Sequence, residues 1–190
     1  MDLRDFEPAR TDRRLSGETA QAPALRHRVF FACVIVQLGA MLLVWNLLAP
    51  ILSFLLPRGI AGRLGRAGVS FLFRRCWGSA ERLGLMQVDS SALDVLCDEP
   101  GGLIVAGNHP TMLDALIVVA RLPRGVCVMK AELMRNIFLG GGARLARYIR
   151  NDVGRGMVRD AVASLREGNQ LVLFPEGTRN LGDEPLMPFR

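Results

Sequence analysis

From Val29 to Leu56 the chain carries no charged residue and few polar ones. Nothing else in the 190 residues limits the fold so strongly, because a helix needs about 20 apolar residues to cross a bilayer. A secretory signal peptide is shorter, begins nearer Met1 and ends at a small-residue cleavage site, so that reading fails. A buried core helix is the weaker reading for so long an apolar run. The run is read as a membrane-associated helix.

Arginines flank it on both sides: Arg10, Arg13, Arg14, Arg26 and Arg28 before, and Arg58, Arg63, Arg66, Arg74 and Arg75 after. Positive charge on the cytoplasmic side therefore selects no orientation. Asn46 and Pro50 interrupt the run, which leaves two arrangements open. One is a re-entrant helical pair turning at Asn46–Pro50, with both basic flanks on the cytoplasmic face. The other is a straight single span. Ile60 to Trp77 mixes apolar and arginine positions and is expected to lie along the interface. Three regions follow: a disordered polar tail at 1–25, a membrane-associated helical segment at 26–78, and an α/β domain at 79–190.

Charge and cysteine content narrow the function classes. There are 24 basic and 18 acidic residues, a net charge of +6, and Lys130 is the single lysine. Such arginine-heavy usage points to GC-rich coding and a bacterial source. The basic balance suits an anionic membrane surface or phosphorylated substrates, and no basic stripe interleaves with aromatics as nucleic-acid binding would require. Cys33, Cys76, Cys97 and Cys127 show no C-x-x-C spacing. They read as small core residues in a reducing compartment, not as a metal site or disulfide framework.

Beyond residue 100 the pattern becomes α/β, with strands expected at Leu103–Ala106, Val126–Met129, Tyr148–Arg150 and Gln170–Phe174. Helices are expected over Ala115–Leu122, capped by Thr111, over Leu133–Arg147 with a bend or break at Gly140–Gly142, and over Val158–Arg166, stopped by Gly168. This alternation predicts a largely parallel sheet flanked by helices, with ligands bound beyond the strand ends.

Two blocks sit at such ends. In Asn108-His109-Pro110-Thr111-Met112-Leu113-Asp114, the imidazole and carboxylate are spaced so that Asp114, in a first helical turn, can reach back to His109. That contact would orient the ring and stabilise the imidazolium formed when His109 takes a proton. The competing reading makes Asp114 a helix cap and nothing more. In Phe174-Pro175-Glu176-Gly177-Thr178-Arg179, Gly177 permits close backbone approach, Thr178 offers a hydroxyl, and Arg179 offers a fork for phosphate. Glu176 would hold a substrate hydroxyl or orient Arg179; the residues leave both open.

These two blocks in this order, with Lys130-Ala131-Glu132-Leu133 and Gly140 between them, closely resemble the lysophospholipid acyltransferase family, typified by 1-acyl-glycerol-3-phosphate acyltransferase. The resemblance covers about residues 100–190. It implies that His109 is the general base and Asp114 its partner, and that Arg179, Lys130, Glu176, Gly177 and Thr178 shape the acceptor pocket. It implies transfer of an acyl group from acyl-CoA or acyl-acyl carrier protein to a lysophospholipid hydroxyl in phospholipid biosynthesis. No metal and no organic cofactor are called for, and the partners are membrane lipids, the acceptor and the acyl donor. The expected location is the bacterial inner membrane, with the active site facing the cytoplasm.

Two departures from the family pattern stand out. The family's middle segment ends in hydrophobic-Asp-Arg, whereas this chain reads Tyr148-Ile149-Arg150-Asn151-Asp152, so the arginine is displaced. The chain also ends at Arg190, shortly after Arg179, where the family pattern continues; the resemblance therefore implies a C-terminally truncated copy. A serine or cysteine hydrolase is disfavoured, because there is no G-x-S-x-G and no cysteine has an activating partner. The alternatives are an acyl-thioester hydrolase in which His109 activates water, and a non-catalytic, membrane-anchored lipid-binding remnant.

Overall fold

The computed structural model describes residues 25–108, 111 and 113–175. The polar tail therefore lies outside the described residues up to position 24. Two long helices come first: α1, Leu25–Leu55, and α2, Arg58–Arg82. They form an antiparallel hairpin, in which Gln37 donates to the Ser79 hydroxyl at 3.1 Å and Ala49 packs with Ala61 near the tip. The turn falls at Leu56–Pro57, where Pro57 fixes φ just ahead of the new helix. The expected break at Asn46–Pro50 does not occur: α1 runs straight through Pro50. Proline there removes one hydrogen bond, to the Asn46 carbonyl, and the packing around Asn46 offsets that loss.

Asn46 is 8% exposed in an otherwise apolar helix. Its amide donates to Leu42 O at 2.8 Å and to Phe138 O, and its Oδ1 accepts the Gly142 N–H at 2.8 Å. The asparagine thus pins α1 to the α/β domain. Trp45, one residue earlier, is wedged between Gly68 and Gly142, where any Cβ would collide with the indole.

The remaining elements are α3 (Ser91–Asp98), β1 (Leu103–Ala106), α4 (Asp114–Arg121), β2 (Gly125–Met129), a 3-10 helix (Ala131–Arg135), α5 (Gly140–Leu145), β3 (Ile149–Arg150), α6 (Arg155–Arg166) and β4 (Gln170–Leu173). All strand pairings are parallel, and the order across the sheet is β1-β4-β2-β3. The expected strands and α6 appear within a few residues of their predicted limits. The helix expected over Leu133–Arg147 is instead a 3-10 turn, a gap at 136–139 and the short α5. Its three glycines lie inside α5, because Asn46, Trp45 and Met134 approach too closely for side chains.

The sheet is covered on both faces. On one, Leu42, Val69, Phe73 and Trp77 of the hairpin meet Val119 and Ala120 of α4, Cys127 of β2 and Ala146. On the other, Val126, Ile149 and Leu171 meet Met157, Ala161 and Leu165 of α6. Val126 and Cys127 are consecutive and face opposite layers, as the two-residue period of a strand demands.

α2 is accordingly a core helix, not the interfacial segment expected over Ile60–Trp77. Its buried stripe runs through Gly62, Gly65, Val69, Leu72, Phe73, Cys76 and Ala80. Burying a side chain such as Phe73 stabilises by about 1.5–3 kcal/mol, more than an exposed position at an interface would yield. α1 keeps its other side open: Phe31, Val36, Val44, Leu47, Ile51 and Phe54 are exposed. It is long and apolar enough to cross a membrane. Cys76 and Cys127 are buried as expected for core thiols, but Cys33 is exposed on α1.

Candidate active site

The two chemical blocks leave the sheet side by side. β1 and β4 are neighbours with Ala106 opposite Leu173, and Gly107 N–H continues the ladder to Leu173 O at 3.3 Å. The Phe174 ring lies over Gly107, 3.7 Å from where a Cβ would stand. Asn108 and Pro175 are thus the last described residues before each block's central positions. His109, Glu176, Gly177, Thr178 and Arg179 lie outside the described residues.

Asp114 opens α4. Its carboxylate accepts the Thr111 N–H at 2.6 Å and the Thr111 hydroxyl at 2.9 Å, while the Thr111 oxygen accepts the Leu113 N–H at 3.1 Å. These reciprocal bonds close a tight turn just ahead of α4; the N-cap of the helix is Leu113, with no side-chain cap, so Thr111 does not cap α4 as expected. The helix dipole also favours the negative charge at this end. A carboxylate accepts about four hydrogen bonds, so holding Thr111 and holding an imidazole N–H are compatible roles. In place of the expected cap, Thr111 holds the Asp114 carboxylate, and the three-residue spacing between them is the signal in the sequence for that contact.

Lys130 follows β2 directly and stands exposed at the start of the 3-10 helix. Because β2 is the other neighbour of β4, Lys130 is at the same end of the sheet as the two blocks. Arg150, on β3 beyond it, does not reach toward an acceptor site in isolation. It forks Asp152 through Nε at 3.0 Å and Nη2 at 2.6 Å, and this pairing holds the Asp152 carboxyl below the usual carboxylate range. The displaced arginine of the middle segment is thus neutralised by its own turn. Among the described residues, no three His, Cys, Asp or Glu side chains gather as a metal cage.

A family model described as Acyltransferase matches residues 91–190, more than half of the chain. This chain belongs to the acyltransferase family. The match begins at α3 and takes in every strand, so the parallel sheet is the acyltransferase domain and the α1–α2 hairpin precedes it. Among curated relatives, the 1-acyl-sn-glycerol-3-phosphate acyltransferase of Helicobacter pylori (strain J99 / ATCC 700824) is 31% identical over 99 residues, covering 48% of this chain and 41% of that protein. The chain therefore spans about two fifths of the length of that relative. No solved structure matches the chain.

Proposed function

We propose that this acyltransferase-family chain moves a fatty acyl group from acyl-CoA or acyl-acyl carrier protein to the free hydroxyl of a lysophospholipid, with 1-acyl-glycerol-3-phosphate as the acceptor. The observation that supports it most is the register of β1 and β4, which sends the His-x-x-x-x-Asp block and the Pro-Glu-Gly-Thr-Arg block off adjacent parallel strands at the same end of the sheet. His109 takes the acceptor's hydroxyl proton while Asp114 holds the ring and offsets the positive charge. The alkoxide oxygen bonds to the thioester carbonyl carbon; collapse of the tetrahedral intermediate breaks the C–S bond. The proton passes from His109 to the departing thiolate, leaving an ester and a free thiol. Arg179 grips the acceptor phosphate bidentately, assisted by Lys130, with Glu176, Gly177 and Thr178 shaping the pocket. The reaction calls on no metal or organic cofactor.

The bacterial inner membrane is the proposed location. α1 is packed along Leu38–Ala49 against α2 and α5, so only its outward side is free for lipid. A helix flanked by an α/β domain along its middle suits a hairpin seated in one leaflet from the cytoplasmic side, where acyl carriers are found.

The test is to incubate the full chain, in membranes, with 1-acyl-glycerol-3-phosphate and a donor labelled in its acyl group. Label in phosphatidate supports the transferase. Label in free fatty acid would make it a thioester hydrolase, and label remaining in the donor, with the acceptor merely bound, would make it a lipid-binding protein.

A further inference from the structure

The exposed apolar face of α1 does not end at α1. Helix residues spaced three or four apart share a flank, and Leu43, Leu47, Pro50 and Phe54 follow that spacing. Pro50 and Phe54 line a cavity of about 450 Å³ with Gly141 and Arg144 of α5, so this flank is the one turned toward α5. α2 packs on another side of the helix, where Ala49 meets Ala61 and Trp45 meets Gly68. Leu43, Leu47 and Phe54 stay exposed, Leu47 at 65%.

The segment between β2 and α5 continues that surface. Phe138 O accepts the Asn46 side-chain amide, which fixes the segment against α1 at the residue before Leu47. Met134 and Leu139 turn inward: Met134 is buried, and Leu139 packs on the cluster that holds Leu42. Leu133, Ile137 and Phe138 are left exposed, Ile137 at 68%. Apolar surface gathered in this way marks a contact with a partner or a membrane. Two observations choose the membrane. The patch adjoins a helix long and apolar enough to enter a bilayer, so lipid that reaches Leu47 also reaches the segment tied beside it. Between residues 130 and 144 stand three exposed cations, Lys130, Arg135 and Arg144, and one carboxylate, Glu132, a balance that suits anionic headgroups.

We propose that residues 133–139 form a second membrane-contacting element, with Leu133, Ile137 and Phe138 lodged among lipid beside the α5-facing flank of α1. This deepens the proposed seating of α1 in one leaflet and rests on it. α1 supplies the anchor, and the segment sets the rotation of the domain about that anchor. The strand end that carries Lys130 is thereby held at headgroup level, where an acceptor drawn from the bilayer meets the two blocks.

Collisional quenching by brominated phospholipids tests the assignment. Cys76 and Cys127 are buried and stay in place, while Cys33→Ser and Cys97→Ser remove the more accessible thiols. Ile137→Cys, Leu47→Cys or Val158→Cys is then introduced into the full chain, labelled with bimane and reconstituted in phosphatidylglycerol–phosphatidylcholine vesicles. Leu133→Cys replaces Ile137→Cys as the reporter should the latter not fold. Val158 is exposed on α6, which covers the face of the sheet opposite the hairpin. Bromines placed high on the acyl chains should quench the labels at 47 and 137 and spare the one at 158, since an interfacial element reaches about 5–10 Å into the headgroup–acyl boundary. Quenching at 47 without quenching at 137 overturns the proposal and leaves α1 in the membrane. Absence of quenching at both overturns the membrane seat together with it. A label at 137 that is shielded from water yet unquenched shows the patch covered by a second copy of the chain, and equal quenching at 158 shows that no face is selected; either result overturns the proposal.

Discussion

Arginines that look alike in the sequence have different fates. Arg63, Arg74 and Arg75 stay exposed, whereas Arg66 falls on the buried stripe of α2. Asp114 illustrates the converse: it stands in the first turn of α4, yet its carboxylate turns back to take the Thr111 N–H and hydroxyl ahead of the helix. His109→Ala is expected to lower acyl transfer by about 10²–10⁴-fold with membrane binding unchanged. Asp114→Asn should be of similar severity, because it keeps an acceptor for Thr111 and removes the charge. His27, on α1, stands far outside either block in the chain, so no second histidine is at hand to rescue activity. Turnover within a few-fold of normal in His109→Ala would end the proposed mechanism.

At the level of elements, the hairpin depends on how closely α2 approaches its neighbours. Gly65 lies against the backbone of Leu145 and Ala146, and an added Cβ would overlap both. Gly78, on the same helix, faces open space. Two chemically identical substitutions should therefore have opposite signs. Gly78→Ala should stabilise by up to about 1 kcal/mol through helix propensity. Gly65→Ala should lose about 1–3 kcal/mol, since overpacking against backbone outweighs that gain. Urea unfolding of the two variants side by side would show it, and equal effects would mean that α2 does not dock on α5 as described.

For the whole molecule, the hairpin and the sheet share one core: Val69 and Phe73 of α2 touch the same cluster as Cys127 of β2. The membrane element is therefore part of the domain and not a tether to it, which limits how the protein can sit in a bilayer. Both ends of the hairpin lie together, as the Gln37–Ser79 bond requires. In a protein freed of native cysteines, Ser16→Cys and Arg82→Cys should both resist an impermeant maleimide in intact spheroplasts and both react after lysis. Labelling of position 16 from outside, with position 82 protected, would show α1 to be a true single span.

Much of this was legible in the chain itself. The apolar run, the strands at Leu103–Ala106 and Gln170–Leu173, and the two blocks at their ends are local patterns, since periodicity and turn residues act over a few positions. α2 was misread because its arginines obscured a stripe of small and apolar residues that only a docked partner makes meaningful. Pro50 was expected to turn the chain and Gly140–Gly142 to bend or break a helix; α1 instead runs through Pro50, and the second helix is interrupted at 136–139, ahead of glycines that are themselves helical. The reason is that Asn46 and Trp45, nearly a hundred residues from α5 in sequence, need bare backbone to pack against. Local sequence determined which elements form and where the chemistry is carried. Tertiary structure alone decided that β4 inserts between β1 and β2, that Asn46 pins rather than breaks, and that Arg66 is buried, because each depends on contacts between segments far apart in the chain.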